Sequence, residues 1–131
     1  MSDIPPPHKL RFRERAKSFR CAARGMLWVL RTEHNAKIHL AATIVVCLLG
    51  GALRISIHDW CWLVTAITLV WTTEALNSAL EHLADVAAPE IHPTTARAKD
   101  IAAGAVLFAS IGAAVIGMLV LGPHLLNWLR S

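Results

Sequence analysis

The stretch Trp60–Ala88, WCWLVTAITLVWTTEALNSALEHLADVAA, decides how this 131-residue chain folds. Its first half, Trp60–Thr73, is apolar apart from its threonines. The second half carries Glu74, Asn77, Glu81 and Asp85, with no glycine or proline between them to stop a helix. An α-helix rises about 1.5 Å per residue, so the apolar half alone falls short of a hydrocarbon core about 30 Å thick. A helix over 60–86 does cross it, and the crossing sets the first acidic residues at the membrane boundary. Spacings of three, four and four hold the four polar side chains within a face about 80° wide. In a soluble protein such a face is simply wet. Where it begins at the end of an apolar span it points to function, because ionisable groups at membrane depth usually face a protein interior or a water-filled pocket.

The rest of the chain supports a membrane reading. Hydrophobic residues make up 55% and charged residues 17%, against roughly 45–50% and 25% in ordinary soluble domains. That balance excludes a water-soluble multidomain enzyme and a disordered tail. Two further spans are expected, over 34–53 and 96–122. The first contains Ile38–Leu53, interrupted by His39, and the second contains Ile101–Gly122 without a charge. Short linkers join them, and Pro89 and Pro93 break the helix in the second linker. Ala109, Ala113 and Gly117 recur every four residues and form either a close helix contact or a small lipid-facing strip. The expected fold is therefore all-α: three transmembrane helices preceded by an amphipathic surface helix over 9–32. In that helix Phe12, Ala16, Phe19, Ala23 and Leu30 keep helical spacing among arginines and lysines. Residues 1–8, with Pro5–Pro7, read as a flexible tail, and 9–131 as one domain.

Charge sets an orientation. Residues 1–37 hold nine Lys/Arg against three acids, and the remaining chain holds four against six. The positive-inside rule then places the amino terminus and the Arg97/Lys99 loop in the cytoplasm. A basic arm beside apolar spans suits an anionic lipid surface, and no nucleic-acid partner is expected. Cys21, Cys47 and Cys61 form no CxxC pair and read as buried free thiols. The histidines show no zinc-binding spacing.

Under that topology Glu33, Asn35 and His39, at the mouth of the first span, gather with Lys99, Asp100 and the acidic stripe on the cytoplasmic side. Carboxylates, a lysine and a basic arm could together hold a Mg–nucleotide complex, since Mg²⁺ takes one or two carboxylates plus substrate phosphates. There is no GxxxxGK[ST] loop, so any nucleotide site is not of the P-loop kind. The spacing does not by itself make a kinase. A small oligomeric ion channel or carrier could line its path with Glu74 and Glu81, and a structural adaptor could use the basic arm.

Three stretches carry a resemblance: SFRCAARGMLWVLRTEHNAKIHL (18–40), EALNSALEHLAD (74–85) and ARAKDIAAGAVL (96–107). Together they resemble the small bacterial diacylglycerol kinase family, which includes undecaprenol kinases. The likeness covers about residues 13–122. It implies a homotrimer in the bacterial cytoplasmic (inner) membrane, with active sites shared between subunits on the cytoplasmic side. The implied reaction moves the γ-phosphoryl of ATP, with Mg²⁺, to a membrane lipid alcohol, undecaprenol or diacylglycerol. By the same resemblance Glu74 is the general base that meets the lipid substrate, and Glu33 and Glu81 are the Mg²⁺ and nucleotide ligands. Asn77, Lys99 and Asp100 belong to the ATP site, and Glu90 with His92 to a loop touching the nucleotide. Glu33–Leu40, EHNAKIHL, looks more like the undecaprenol kinase branch. Cys21 stands where the family often has an aromatic residue.

Overall fold

In the computed structural model, which describes residues 12–88 and 92–130, four helices follow one another: α1 (Phe12–Thr32), α2 (His34–Ala52), α3 (Ile57–Ala87) and α4 (Pro93–Arg130). One residue separates the first two. Glu33 is extended, at φ −87° and ψ 126°, and its N–H still donates to the Val29 carbonyl at 2.9 Å. The chain therefore changes direction without losing its backbone hydrogen bonds.

The α2–α3 turn is built by local chemistry. Arg54 adopts the left-handed conformation at φ 50°. Its N–H reaches the Gly51 carbonyl at 3.2 Å, and that of Ile55 reaches the Gly50 carbonyl at 3.2 Å. This pair of bonds closes the end of α2 as a Schellman motif. A capping box starts α3: Asp59 N–H donates to Ser56 Oγ at 3.1 Å, while Ser56 N–H donates to Asp59 Oδ2 at 3.3 Å, satisfying two otherwise orphaned donors. Pro93 opens α4, where its missing N–H costs nothing.

Helices α2, α3 and α4 are each long and apolar enough to cross a membrane. The surface agrees with a lipid surround. Leu48, Phe108 and Leu119 are 68%, 82% and 71% exposed, a pattern that would form large apolar patches in water and is ordinary against acyl chains. α3 packs chiefly on α4, burying Leu63, Ala66 and Val70 from one and Ala102, Val106 and Ala109 from the other. α2 leans on this pair, and only Ala36 and Gly50 of its residues are buried. Gly50 is required by close approach: a Cβ there would lie 2.9 Å from two ring carbons of Trp60 and 3.1 Å from Ile55 Cδ1. Because α2 is held off along most of its length, an apolar groove of about 570 Å³ runs between it and the α3–α4 pair.

Several sequence expectations change. α4 runs through Pro123 to Arg130, past the span end expected at Gly122. The helical part of the amino-terminal segment is described only from Phe12, so the tail and residues 9–11 lie outside the described residues. All three cysteines are free but exposed, not buried, since a small apolar thiol facing lipid needs no cover from protein. The small-residue strip of α4 faces inward: Ala109 is buried, and Ala113 and Gly117 line the groove.

Candidate active site

The acidic stripe of α3 is graded in exposure. Glu74 is 2% exposed and Asn77 9%; Glu81 is half-buried, and the Asp85 side chain is 64% exposed. One helical face thus passes from protein interior to solvent in three turns. The gradient follows how far the neighbouring helices cover this face of α3, since Leu76, two residues from Glu74 but on another face, is 59% exposed.

Neutral donors hold the carboxylates of this face. Asn77 Nδ2 donates to Glu81 Oε1 at 3.0 Å, one turn along α3. Ser78, 1% exposed, donates its hydroxyl to Glu33 Oε1 at 3.2 Å. That bond ties the α1–α2 junction to α3. It brings Glu33 to the stripe from a position 41 residues upstream of Glu74. Glu33 and Glu81 both act electrostatically against the charge of Glu74, whereas His39 favours it. His39 Nε2 lies 3.7 Å from Glu74 Oε2. Neither of these buried atoms, nor Asn77 Oδ1, has a hydrogen-bond partner among the described residues. A buried carboxylate with further acids along the same face is a place where a proton or a positive charge is favoured, because unpaired buried charge is costly unless something compensates it.

The remaining predicted residues sit further out. Lys99 forms an ion pair with Asp85, which fixes the start of α4 to the end of α3. Glu81 adds a weaker attraction to the same lysine. Asp100 is exposed on the next position of α4. His92 caps that helix, its Nδ1 accepting from the Thr94 N–H at 3.2 Å. Glu90 lies outside the described residues. The structure therefore gathers Glu33, Glu74, Asn77 and Glu81 into one centre and sets Lys99, with Asp85, beside it.

Two contributors escaped the sequence reading. Ser78 follows Asn77 and lies one turn beyond Glu74, so the i, i+4 relation to Glu74 was the available signal. His39 was visible at the mouth of the first span, but its pairing with Glu74 depends on the antiparallel register of α2 and α3. A third link, the edge-to-face contact of Trp28 with His82 at 4.4 Å between centroids, anchors α1 against α3. Among the described residues no three metal-ligating side chains converge.

These features define an all-helical membrane protein with a buried carboxylate centre at one end of its spans. Residues 20–121 match the prokaryotic diacylglycerol kinase family. The undecaprenol kinase of Bacillus subtilis (strain 168) is 38% identical over 109 residues, covering 83% of this chain and 89% of that protein. A diacylglycerol kinase of Synechocystis sp. is 35% identical over 111 residues, 84% of this chain and 63% of that protein. The diacylglycerol kinase of Escherichia coli (strain K12) is 33% identical over 85 residues, 57% and 70% of the two chains. The chain belongs to the prokaryotic diacylglycerol kinase family. It is an ATP-using lipid kinase of the membrane, which decides against the channel, carrier and adaptor readings.

Proposed function

We propose that the chain transfers the γ-phosphoryl of ATP to the hydroxyl of a membrane lipid alcohol, with Glu74 as the general base. The observation that carries this reading is the placement of Glu74. It is a fully buried carboxylate, with an unbonded oxygen, at the end of an apolar span. A base must come within hydrogen-bond reach of the proton it removes, and a lipid hydroxyl at headgroup level meets the stripe at its deepest acidic residue. The hydroxyl proton passes to Glu74, its oxygen bonds to the γ-phosphorus, and the bond to the β–γ bridging oxygen breaks to release ADP. Phosphoryl transfer asks mainly for positioning and charge neutralisation.

Glu33 and Glu81 are the proposed Mg²⁺ ligands. They fit the ion: both are hard oxygen donors, and each has one oxygen steadied by a neutral neighbour, Ser78 or Asn77. Two carboxylates with no third protein ligand suit Mg²⁺, which keeps waters and phosphate oxygens in its shell. Bound there, the ion supplies charge neutralisation to the β- and γ-phosphates. Asn77 orients Glu81. Lys99, Asp100, His92 and Glu90 are assigned to the nucleotide side, with Lys99 turning from Asp85 toward the phosphates as ATP arrives.

The groove between α2, α3 and α4 takes the hydrocarbon chain of the acceptor. Its hydroxyl groups are already engaged: Thr43 accepts from Trp71 Nε1 at 3.1 Å and donates to the His39 carbonyl at 2.7 Å, and Ser110 donates to the Val106 carbonyl at 2.8 Å. Little is left for ester carbonyls, which favours an alcohol on a plain hydrocarbon chain. The relative named undecaprenol kinase and the EHNAKIHL stretch support the same choice. We therefore place undecaprenol before diacylglycerol. α1 lies along the cytoplasmic surface, its basic residues toward lipid phosphates. Assembly as a homotrimer with shared sites in the inner membrane is part of the same proposal, supported by the resemblance to the family.

The test is transfer from γ-labelled ATP, with Mg²⁺, by the purified protein in mixed micelles. Undecaprenol and a short-chain diacylglycerol are offered separately. Transfer to undecaprenol at the higher kcat/KM supports the assignment. Preference for diacylglycerol overturns the choice of lipid, and no transfer to either from a sample that binds no ATP overturns the reaction.

A further inference from the structure

We propose that His39 is a second residue of the acceptor site, contacting the lipid hydroxyl opposite Glu74; the inference rests on the kinase reading above. His39 occupies a particular place. It lines the apolar groove, whereas Glu74 lies just behind it, 2% exposed. A chain lying in the groove therefore meets His39 before it meets the base.

The facing atoms carry the chemistry. His39 Nε2 and Glu74 Oε2 are 3.7 Å apart, too far for a direct hydrogen bond, and both are buried without a hydrogen-bond partner among the described residues. A hydroxyl oxygen placed about 2.8 Å from each satisfies both at once. It donates its proton to Glu74 Oε2 and accepts from the Nε2–H of His39. That arrangement uses one lone pair of the hydroxyl for His39 and leaves the other free to attack the γ-phosphorus. During transfer the O–H bond breaks toward Glu74, the new O–P bond forms, and ADP departs with the electron pair of the broken P–O bond. His39 keeps its proton throughout. Its task is to fix the oxygen, which is where effective concentration in a two-substrate reaction is gained.

The surroundings hold the imidazole in place. Thr43 bonds back to the His39 carbonyl and accepts from Trp71 on α3, so the turn that carries His39 is tied to the helix that carries Glu74. An imidazole serving only as a spacer would not need a buried donor aimed at the carboxylate. Water in the same position would compete with the alcohol for both atoms, so the apolar groove beside His39 also serves to favour an acceptor with a hydrocarbon tail.

The experiment compares His39→Gln, which keeps an N–H near the Nε2 position, with His39→Leu, which keeps bulk alone. Steady-state kinetics are measured against undecaprenol and against ATP, and binding of a fluorescent ATP analogue serves as the control for folding. The expected result for His39→Leu is a loss of about 10- to 100-fold in kcat/KM for the lipid, with the KM for ATP changed less than about twofold. His39→Gln recovers most of the lost rate. Wild-type rates in His39→Leu overturn the proposal. So do equal losses in both variants, with the KM for ATP moving in parallel, since that pattern marks a structural role. A wild-type chain silent with every lipid alcohol instead overturns the kinase reading itself.

Discussion

Replacing Glu74 by glutamine should move activity and stability in opposite directions. The side chain is 2% exposed, and Glu33 and Glu81 both oppose its charge while His39 alone favours it. Its Oε2 has no hydrogen bond among the described residues. A buried polar group left without a partner costs about 1–3 kcal/mol, so the native carboxylate is kept against a local loss of stability. Glutamine has nearly the same shape and opens no cavity. It removes the like-charge opposition but leaves an amide to be satisfied, so only the charge part of the cost is relieved. The expected gain in unfolding free energy is between zero and about 2 kcal/mol. On the proposed role activity loses a general base, which removes about 10²–10⁴ in rate, or about 2.7–5.5 kcal/mol of barrier lowering. Transfer from labelled ATP gives the rate, and thermal unfolding in detergent, followed by near-ultraviolet circular dichroism, gives the stability. A glutamine variant that transfers within tenfold of the native rate refutes the base. One that is inactive and also less stable by more than about 1 kcal/mol shows a structural carboxylate instead.

Adjacent glycines near the end of α2 should respond with opposite signs. A Cβ at Gly50 falls 2.9 Å from the Trp60 ring, an overpacking cost of about 1–3 kcal/mol that outweighs the gain of about 1 kcal/mol in helix propensity. At Gly51 nothing lies within 4 Å, so Gly51→Ala should raise stability by about 0.5–1 kcal/mol; thermal unfolding of both variants measures the pair. Gly117→Leu extends into the groove from a position where an added Cβ meets nothing within 4 Å. It should raise the KM for undecaprenol about tenfold and leave that for ATP unchanged, as steady-state kinetics will read. Thr43→Val keeps the volume but leaves Trp71 Nε1–H without its acceptor, and unfolding measurements should find a loss of about 1–3 kcal/mol.

The three spans were legible because each holds an apolar run that helix can extend, with no breaker, through the polar residues beside it. The start of α4 was not legible: Pro93 reads as a helix breaker and the span as starting at 96, yet α4 opens on Pro93, in the first turn, where proline's missing N–H costs nothing. Nor was its end: the span is expected to finish at Gly122, yet α4 continues through Pro123 to Arg130. In the site, everything local to α3 could be read from spacing, since Glu74, Asn77 and Glu81 share a face by helical geometry alone. What spacing could not give was the partner across the gap. Ser78 with Glu33, Thr43 with Trp71 and His39 with Glu74 are separated by 45, 28 and 35 residues. They meet only because a tight turn at Arg54 sets the antiparallel register of α2 on α3. The identity of Asp85 as the partner of Lys99 was hidden for the same reason, since the helix break between them decides which turns of α3 and α4 face each other.

That register also explains why a kinase of lipids can be this small. Lipid and nucleotide live in different phases, and on the proposed roles a single helix serves both because it is longer than the apolar layer. Counted from Ile57 at about 1.5 Å per residue, Glu74 lies about 26 Å along α3, Glu81 about 36 Å and Asp85 about 42 Å. Against a hydrocarbon core of about 30 Å and a full bilayer of about 40–45 Å, these fall inside the apolar edge, within the headgroup layer and at the water. Exposure follows the same order, from 2% at Glu74 to 64% for the Asp85 side chain. On the proposed roles, depth along one helical face matches chemistry: the deepest carboxylate meets the hydroxyl and the next the phosphates, while the last holds a lysine at the surface. No separate nucleotide-binding domain is required, because the bilayer itself separates the acceptor from the donor and α3 spans the boundary between them.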